Sequence, residues 1–339
     1  MLRSFFVRPV SSLRGSGAAL ALTWLCACNE GANDVPVVAP AIATSAVSAA
    51  SSPAVASTST PASSSPTDLV VGPAVSVTAA PTPTPTEIVV PASVKSEGRR
   101  PFVLLLHGFS GSGAAIAKHV GLPAHALAMR FSWAAPDGTL DRLGRRHWNA
   151  GPACCDFDRF GTDHVAGLRV LLDRARAHPS VDPSRIYVAG VSNGGFMAER
   201  LGCDVPGIAG VLDIAGGSPV DVQQCKAPPI ARLIHVHGDK DPTVAVAGGR
   251  VLGRTDVAAH PPAADAVRRW GERVGCGTQT PAGTLDLEAS IADAETSRTQ
   301  YAGCNGHFEL LLVQGGGHDV ASSPSSFASL LTILLGESP

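Results

Sequence analysis

Ser192 sits in Gly190-Val191-Ser192-Asn193-Gly194, a serine held between two glycines in the pattern G-x-S-x-G. A hydroxyl is a weak nucleophile until a base takes its proton and an acid orients that base. The chain supplies both further on. Ile234 to Val244 includes Asp239 and Asp241, and Gly315-Gly316-Gly317-His318 sets a histidine beside three glycines. The chain order serine, acid, histidine is one of the orders in which acyl-transfer triads occur. Asp241 is the expected acid, with Asp239 second, and His318 the expected base. An acyl-transfer intermediate also needs N–H donors for its oxyanion. Asn193 N–H and Phe109 N–H are the expected pair, with His107 bracing the loop Leu106-His107-Gly108-Phe109.

Other histidines fit the role less well. His260 lies at the start of a helix and His307 at the start of a strand. His235 and His237 alternate along one strand and so share a face, as paired metal ligands would. The sequence shows no carboxylate or cysteine cluster to complete such a site, so neither metal nor cofactor is expected.

These residues need elements to position them. Pro101–His107 is an apolar run that reads as a buried strand. Ser112 to Met129 reads as helical with a break at Gly121-Leu122-Pro123, and Phe131–Ala135 as a short strand. Asp163–Ala177 has Val165, Leu168, Leu171 and Leu172 at helical spacing. Arg185–Val191 is a strand that runs into the serine, and a helix leaves it from Asn193 to about Leu201. Gly207–Ala215, Pro229–Val236 and His307–Val313 read as strands. Pro262–Val274 and Phe327–Leu335 read as helices. Strands alternating with helices predict an α/β domain with a mostly parallel sheet covered on both faces. The strand–turn–helix setting around Ser192 is the one that exposes a nucleophile at the sheet's carboxyl edge.

The 339 residues are not uniform along the chain. Arg3, Arg8 and Arg14 precede a short apolar run, Ala18 to Leu25, too short to span a bilayer. Residues 1–27 therefore read as an export signal. Leu25-Cys26-Ala27-Cys28 resembles a bacterial lipoprotein cleavage box, which implies lipidation at Cys28. Residues 28–97 are mixtures of Ala, Ser, Thr and Pro that cannot build a core and read as a disordered tether. Residues 98–339 form the expected catalytic domain. A net charge of −2 with 16% charged residues excludes the basic surface that nucleic-acid binding needs. The expected location is outside the cell or on its surface, with membrane contact only through the lipid.

Taken together, the motifs resemble the polyhydroxybutyrate depolymerase / feruloyl esterase family of α/β-hydrolase serine esterases. The residues that carry the resemblance are Leu106-His107-Gly108, Trp148-Asn149-Ala150-Gly151, Cys154-Cys155, Val181 to Gly195, His237 to Val244, and Gly315 to His318. The resemblance implies the α/β-hydrolase fold, the triad Ser192, Asp241 and His318, and an ester substrate that is polymeric in some members. Family members commonly place an aromatic residue soon after the histidine, whereas Asp319-Val320-Ala321-Ser322 follows His318 here. Little sequence lies between Ala215 and Pro229, so no large lid is expected, and the domain is expected to be a monomer.

Eight cysteines occur. Setting Cys26 and Cys28 aside leaves six, whose pairing spacing alone does not decide. Local staples Cys276–Cys304 and Cys203–Cys225 are expected, leaving Cys154 and Cys155 as a vicinal pair. The expected function is ester hydrolysis on acylated polysaccharide, of feruloyl or acetyl type. Polyhydroxyalkanoate depolymerisation is the alternative, and a non-catalytic surface-binding lipoprotein is the alternative of another class.

Overall fold

The computed structural model describes residues 86–92, 98–218 and 221–336. The expected export signal, Cys28 and most of the expected tether lie outside the described residues.

In chain order the domain runs β1 (Arg100–Leu106), α1 (Gly113–His119), α2 (Leu122–Ala128), β2 (Ser132–Ala134), β3 (Thr139–Leu140) and β4 (Arg146–His147). Then come α3 (His164–Ala177), β5 (Val181–Val191), α4 (Asn193–Asp204), β6 (Gly210–Ile214) and β7 (Arg232–Gly238). It closes with α5 (Ala263–Glu272), β8 (Thr278–Leu285), β9 (Thr296–Ala302), β10 (His307–Val313) and α6 (Pro324–Leu335). Eight strands form one sheet in the order β2-β1-β5-β6-β7-β10-β9-β8. The first six are parallel, and β9 and β8 add antiparallel at one end.

The alternation of side chains along β1 builds the layers. Phe102, Leu104 and Leu106 face one core with Leu168, Leu172, Phe196, Leu201, Val267 and Trp270 of α3, α4 and α5. Val103 and Leu105 face the other with Leu122, Ala126, Phe327 and Leu330 of α2 and α6. Burial on both faces explains the unbroken apolar runs of the central strands.

Local signals account for the helix ends. Ser112 caps α1 by accepting from Ala115 N–H, Asp163 caps α3 through Ala166 N–H, and Ser323 caps α6 through Ser326 N–H. Gly121, at φ +68°, splits α1 from α2 where the sequence reading placed a break. A cap serine followed by Pro324 starts α6 three residues before the expected Phe327.

Four strands differ from expectation, the short hairpin pair β3–β4 and the pair β8–β9. β8 and β9 form an antiparallel extension that period-based reading passes over, because β8 is mostly exposed and polar and lacks an apolar run. The tether boundary also moves. Val89, inside the Ser/Thr/Pro-rich tract, exchanges both backbone hydrogen bonds with Trp133 of β2, at 2.8 and 3.0 Å. Glu87-Ile88-Val89-Val90 is a β-branched stretch within that tract, and Ile88 packs against the core.

Candidate active site

Ser192 occupies the turn between β5 and α4 with φ +55° and ψ −119°. A positive φ on a non-glycine residue is strained, and the packing around it holds it there. Ser192 N–H donates to Ile214 O at 2.7 Å. A Cβ on Gly190 would fall 2.1 Å from Gly194 O, and one on Gly194 would fall 2.3 Å from Leu106 O. Helix α4 therefore packs against β1 and β5 only because both flanking residues are glycine.

The acid and base loops meet because of a third glycine. A Cβ on Gly238 would lie 2.3 Å from the carbonyl oxygens of Gly316 and Gly317. This contact brings the end of β7 against the glycine run after β10. His318 Nε2 lies 2.9 Å from Ser192 Oγ, and His318 Nδ1 lies 2.7 Å from Asp241 Oδ2. The structure thus joins all three residues singled out in the sequence. Asp239 plays another part. It accepts from Gly315 N–H at 2.7 Å and so ties the two loops together. Asp241 Oδ1 accepts from Thr243 N–H at 2.8 Å and Val244 N–H at 2.9 Å. Burial opposes ionisation of Asp241, but hydrogen bonds from His237, His318 and Val244 outweigh it and hold the carboxyl well below its ordinary range.

Asn193 N–H heads helix α4, where no carbonyl lies four residues back to accept it. The helix dipole adds partial positive charge at that point. Gly108 Cα approaches the serine closely, since a Cβ there would sit 3.4 Å from Ser192 Cβ. Phe109 follows it and lines the same cavity, so both expected oxyanion donors flank the serine. His107 braces this loop as expected: Gly138 N–H donates to its Nε2 at 2.9 Å, and its Nδ1–H donates to Gly108 O at 2.7 Å.

The sequence reading missed one role of Asn193. Its side-chain Oδ1 accepts from Trp148 N–H at 2.8 Å, and its Nδ2–H donates to Trp148 O at 2.9 Å. Trp148 Nε1–H in turn donates to His107 O at 3.0 Å. The elbow, the oxyanion loop and the Trp148 segment are thereby one unit. That segment carries Cys154–Cys155, which are disulfide-bonded across a cis peptide. Cys203–Cys225 and Cys276–Cys304 are the other two bonded pairs, as expected.

A cavity of about 320 Å³ opens over Ser192 and His318, walled by Phe109, Phe157, the Cys154–Cys155 pair and Val251. Phe109 and Phe157 stand 5.2 Å apart, ring centre to ring centre, with Arg145 over the first and Arg254 over the second. Aromatic walls therefore reach the site from two other loops, although none follows His318. Between β6 and β7 the described residues form one 3-10 turn, Val222–Gln224, and not a helical cap.

One expectation needs correcting. His235 does stand beside carboxylates, which the fold brings from other elements: Glu199 from α4 and Asp213 from β6. All three are fully buried. Spacing along the chain could not reveal this, because 36 residues separate Glu199 from His235.

The chain shares 32% identity over 144 residues with NocK of Nocardia uniformis subsp. tsuyamanensis, a provisionally named esterase, covering 42% of this chain and 40% of that protein. It shares 27% over 194 residues with feruloyl esterase B of Piromyces equi, covering 54% and 32%. It shares 32% over 133 residues with a poly(3-hydroxybutyrate) depolymerase of Ralstonia pickettii, covering 36% and 26%. The chain thus spans less than half the length of these relatives. No family model matches it. Among solved structures, the acetyl xylan esterase of Aspergillus awamori superposes with a TM-score of 0.53 at 14% identity, covering 74% of this chain and 92% of that one. The chain is an α/β-hydrolase by fold, and its sequence relatives include an esterase, a feruloyl esterase and a poly(3-hydroxybutyrate) depolymerase.

Proposed function

We propose that the chain is an exported serine carboxylic-ester hydrolase working by two-step acyl transfer. The observation that carries this reading is the continuous hydrogen-bond line Ser192–His318–Asp241 at a strained elbow. His318 Nε2 takes the Ser192 proton as Oγ attacks the ester carbonyl. Asp241 keeps the Nδ1–H tautomer and stabilises the imidazolium that forms. Asn193 and Phe109 N–H groups receive the oxyanion, each donor being worth about 3 kcal/mol. The imidazolium then protonates the leaving alkoxide, the C–O bond breaks and the alcohol departs. Water, deprotonated by His318, repeats the attack and releases the acid and Ser192. The reaction needs no cofactor.

The substrate proposed is an acylated polysaccharide, of feruloyl or acetyl ester type. The similarity to a feruloyl esterase, the small cavity and its two phenylalanines support it. A polyhydroxyalkanoate depolymerase is the second reading, favoured by the similarity to the Ralstonia pickettii enzyme. Export and a lipid anchor at Cys28 belong to the same proposal, with the Ser/Thr/Pro-rich tract before Glu87 a tether for a monomeric domain that begins with the Val89 segment. The N-terminal charge and apolar run support export, as do three disulfides, which persist in oxidising compartments. Among the described residues no helix is long and apolar enough to cross a membrane.

Hydrolysis of p-nitrophenyl acetate and butyrate by the full chain, beside Ser192→Ala, tests the chemistry. Activity that vanishes in the variant is the expected result. Release of ferulate, of acetate from acetylated xylan, or of hydroxybutyrate from the polyester then assigns the substrate. A folded wild-type chain inactive on every ester would favour the surface-binding lipoprotein instead.

A further inference from the structure

Behind Asp241 runs a line of buried groups that the acyl-transfer steps do not use. His235 and His237 stack with ring centres 5.3 Å apart and planes 7° from parallel. His237 Nε2 lies 2.7 Å from Val244 O and 3.3 Å from Asp241 Oδ2. His237 Nδ1 lies 3.0 Å from His235 Nε2. His235 Nδ1 lies 3.3 Å from Glu199 Oε1 and 3.2 Å from Asp213 Oδ2. We infer that His237 is a positioning residue for the triad acid, its Nε2–H bonded to Val244 O and leaning on Asp241 Oδ2 as a second, longer acceptor, and locked in that tautomer by the buried line Glu199/Asp213–His235–His237. The inference rests on the hydrolase reading for its consequence, though not for its geometry.

The direction of the hydrogen bonds follows from what each atom can do. A carbonyl oxygen only accepts, so His237 Nε2 bears the proton that Val244 O receives. An uncharged His237 then accepts at Nδ1, and His235 Nε2–H is the donor. His235 Nδ1 therefore either donates to the two acids or accepts a proton from one of them. A proton is available there: burial, followed by the charge of Glu199, raises Asp213 well above the ordinary carboxylate range. Glu199 Oε2 also accepts from Trp270 Nε1–H at 2.8 Å, which stabilises Glu199 as the ionised partner. In either arrangement His235 Nε2–H points at His237. The titratable groups facing His237 are His235, Asp241 and His260. Glu199 and Asp213 act on it through His235, and His318 acts through Asp241.

The donor matters because Asp241 Oδ2 serves both histidines. Without the His237 N–H, the carboxylate becomes more basic and less well aimed, and the His318–Asp241 pair holds its proton to higher pH.

Selective 15N-histidine labelling of the full chain reads the tautomers directly, with His237→Gln assigning the resonance. The expected result at pH 8 is His237 as the Nε2–H tautomer, with Nδ1 unprotonated and accepting from His235. A proton on His237 Nδ1, in either the other tautomer or the doubly protonated ring, would overturn the inference. So would a stoichiometric metal ion in the dialysed protein that Glu199→Gln abolishes. This readout needs no turnover, so it stands or falls separately from the Ser192→Ala assay. In kinetics, His237→Phe should lower kcat about tenfold, the worth of one hydrogen bond to a charged group, with KM unchanged. It should also move the acidic limb of the kcat/KM profile to higher pH, and His237→Gln, which keeps an N–H donor, should restore it. A folded His237→Phe variant with the wild-type profile would show a filler role only.

Discussion

The side-chain amide of Asn193 pairs with both backbone groups of Trp148, accepting from its N–H at 2.8 Å and donating to its carbonyl at 2.9 Å. One residue thus presents a backbone N–H at the elbow and clamps the segment that carries the pocket disulfide. Asn193→Ala keeps the first property and loses the second. It strands the buried Trp148 N–H, at about 1–3 kcal/mol, whereas Trp148 O keeps the Ala150 N–H at 3.1 Å. The expected outcome is a fall in thermal midpoint together with a raised KM for p-nitrophenyl esters. An unchanged midpoint would show that water replaces the lost acceptor.

Asp241 and Asp239 stand two residues apart and act on different partners. Asp241→Asn removes the acceptor that holds His318 in its working tautomer, so kcat should drop by about 10⁴-fold with little change in KM. Asp239→Asn weakens the loop tie to Gly315 and should cost about tenfold or less, the worth of a single hydrogen bond. Steady-state kinetics on both variants separates the two. Equal losses would mean that the acid has been assigned to the wrong residue.

Cys203–Cys225 and Cys276–Cys304 close loops of 22 and 28 residues, whereas Cys154–Cys155 closes none. Loop-closure entropy assigns about 3 kcal/mol to each of the first two and nothing comparable to the third. Cys203→Ala with Cys225→Ala should therefore lower the denaturation midpoint and leave kcat in place. Cys154→Ala with Cys155→Ala should act mainly on the ester KM, because that pair walls the cavity. Chemical denaturation beside ester kinetics checks both halves.

His164 is buried, accepts from Asn149 N–H at Nδ1 and faces Thr139 Oγ1 with Nε2. Burial, reinforced by His147, lowers its pKa to about 4. The unfolded chain binds this proton near pH 6.5, and the folded one does so only near 4. Stability is therefore whole above about pH 6.5 and is lost as pH falls toward 4, by about 3 kcal/mol. His107, His235 and His260 are shifted in the same direction, chiefly by burial, and add to the slope. His164→Gln should flatten the midpoint-versus-pH curve in that window. An equally steep curve in the variant would place the acid sensitivity elsewhere.

The parts of the site legible in the sequence were those written in contiguous residues. Gly190 to Gly194, Asp241 and Gly315 to His318 each announce a turn and a reactive group within a few positions. The central strands were legible because burial on both faces leaves unbroken apolar runs. What could not be read depended on contacts between distant segments. Glu199 and Asp213 look like an ordinary helix charge and a strand charge until the fold sets them against His235. Phe157 shows no motif, and its place beside Phe109 follows from the course of the Trp148 loop. Strands β8 and β9 lack the apolar signature because one face of an antiparallel extension is open to water.

The pairing of Val89 with Trp133 also bears on how the domain behaves in a crowd. A bare strand edge invites the edge of another molecule, and fibrils grow from such contacts. Here the outer edge of β2 is occupied by the chain's own incoming segment. At the opposite end β8 carries Pro281 and Gly283 at a break in register with β9. Proline offers no N–H, and a broken register spoils the template. Both borders of the sheet are therefore poor nuclei for aggregation, so many copies could be held close together at one surface and remain separate.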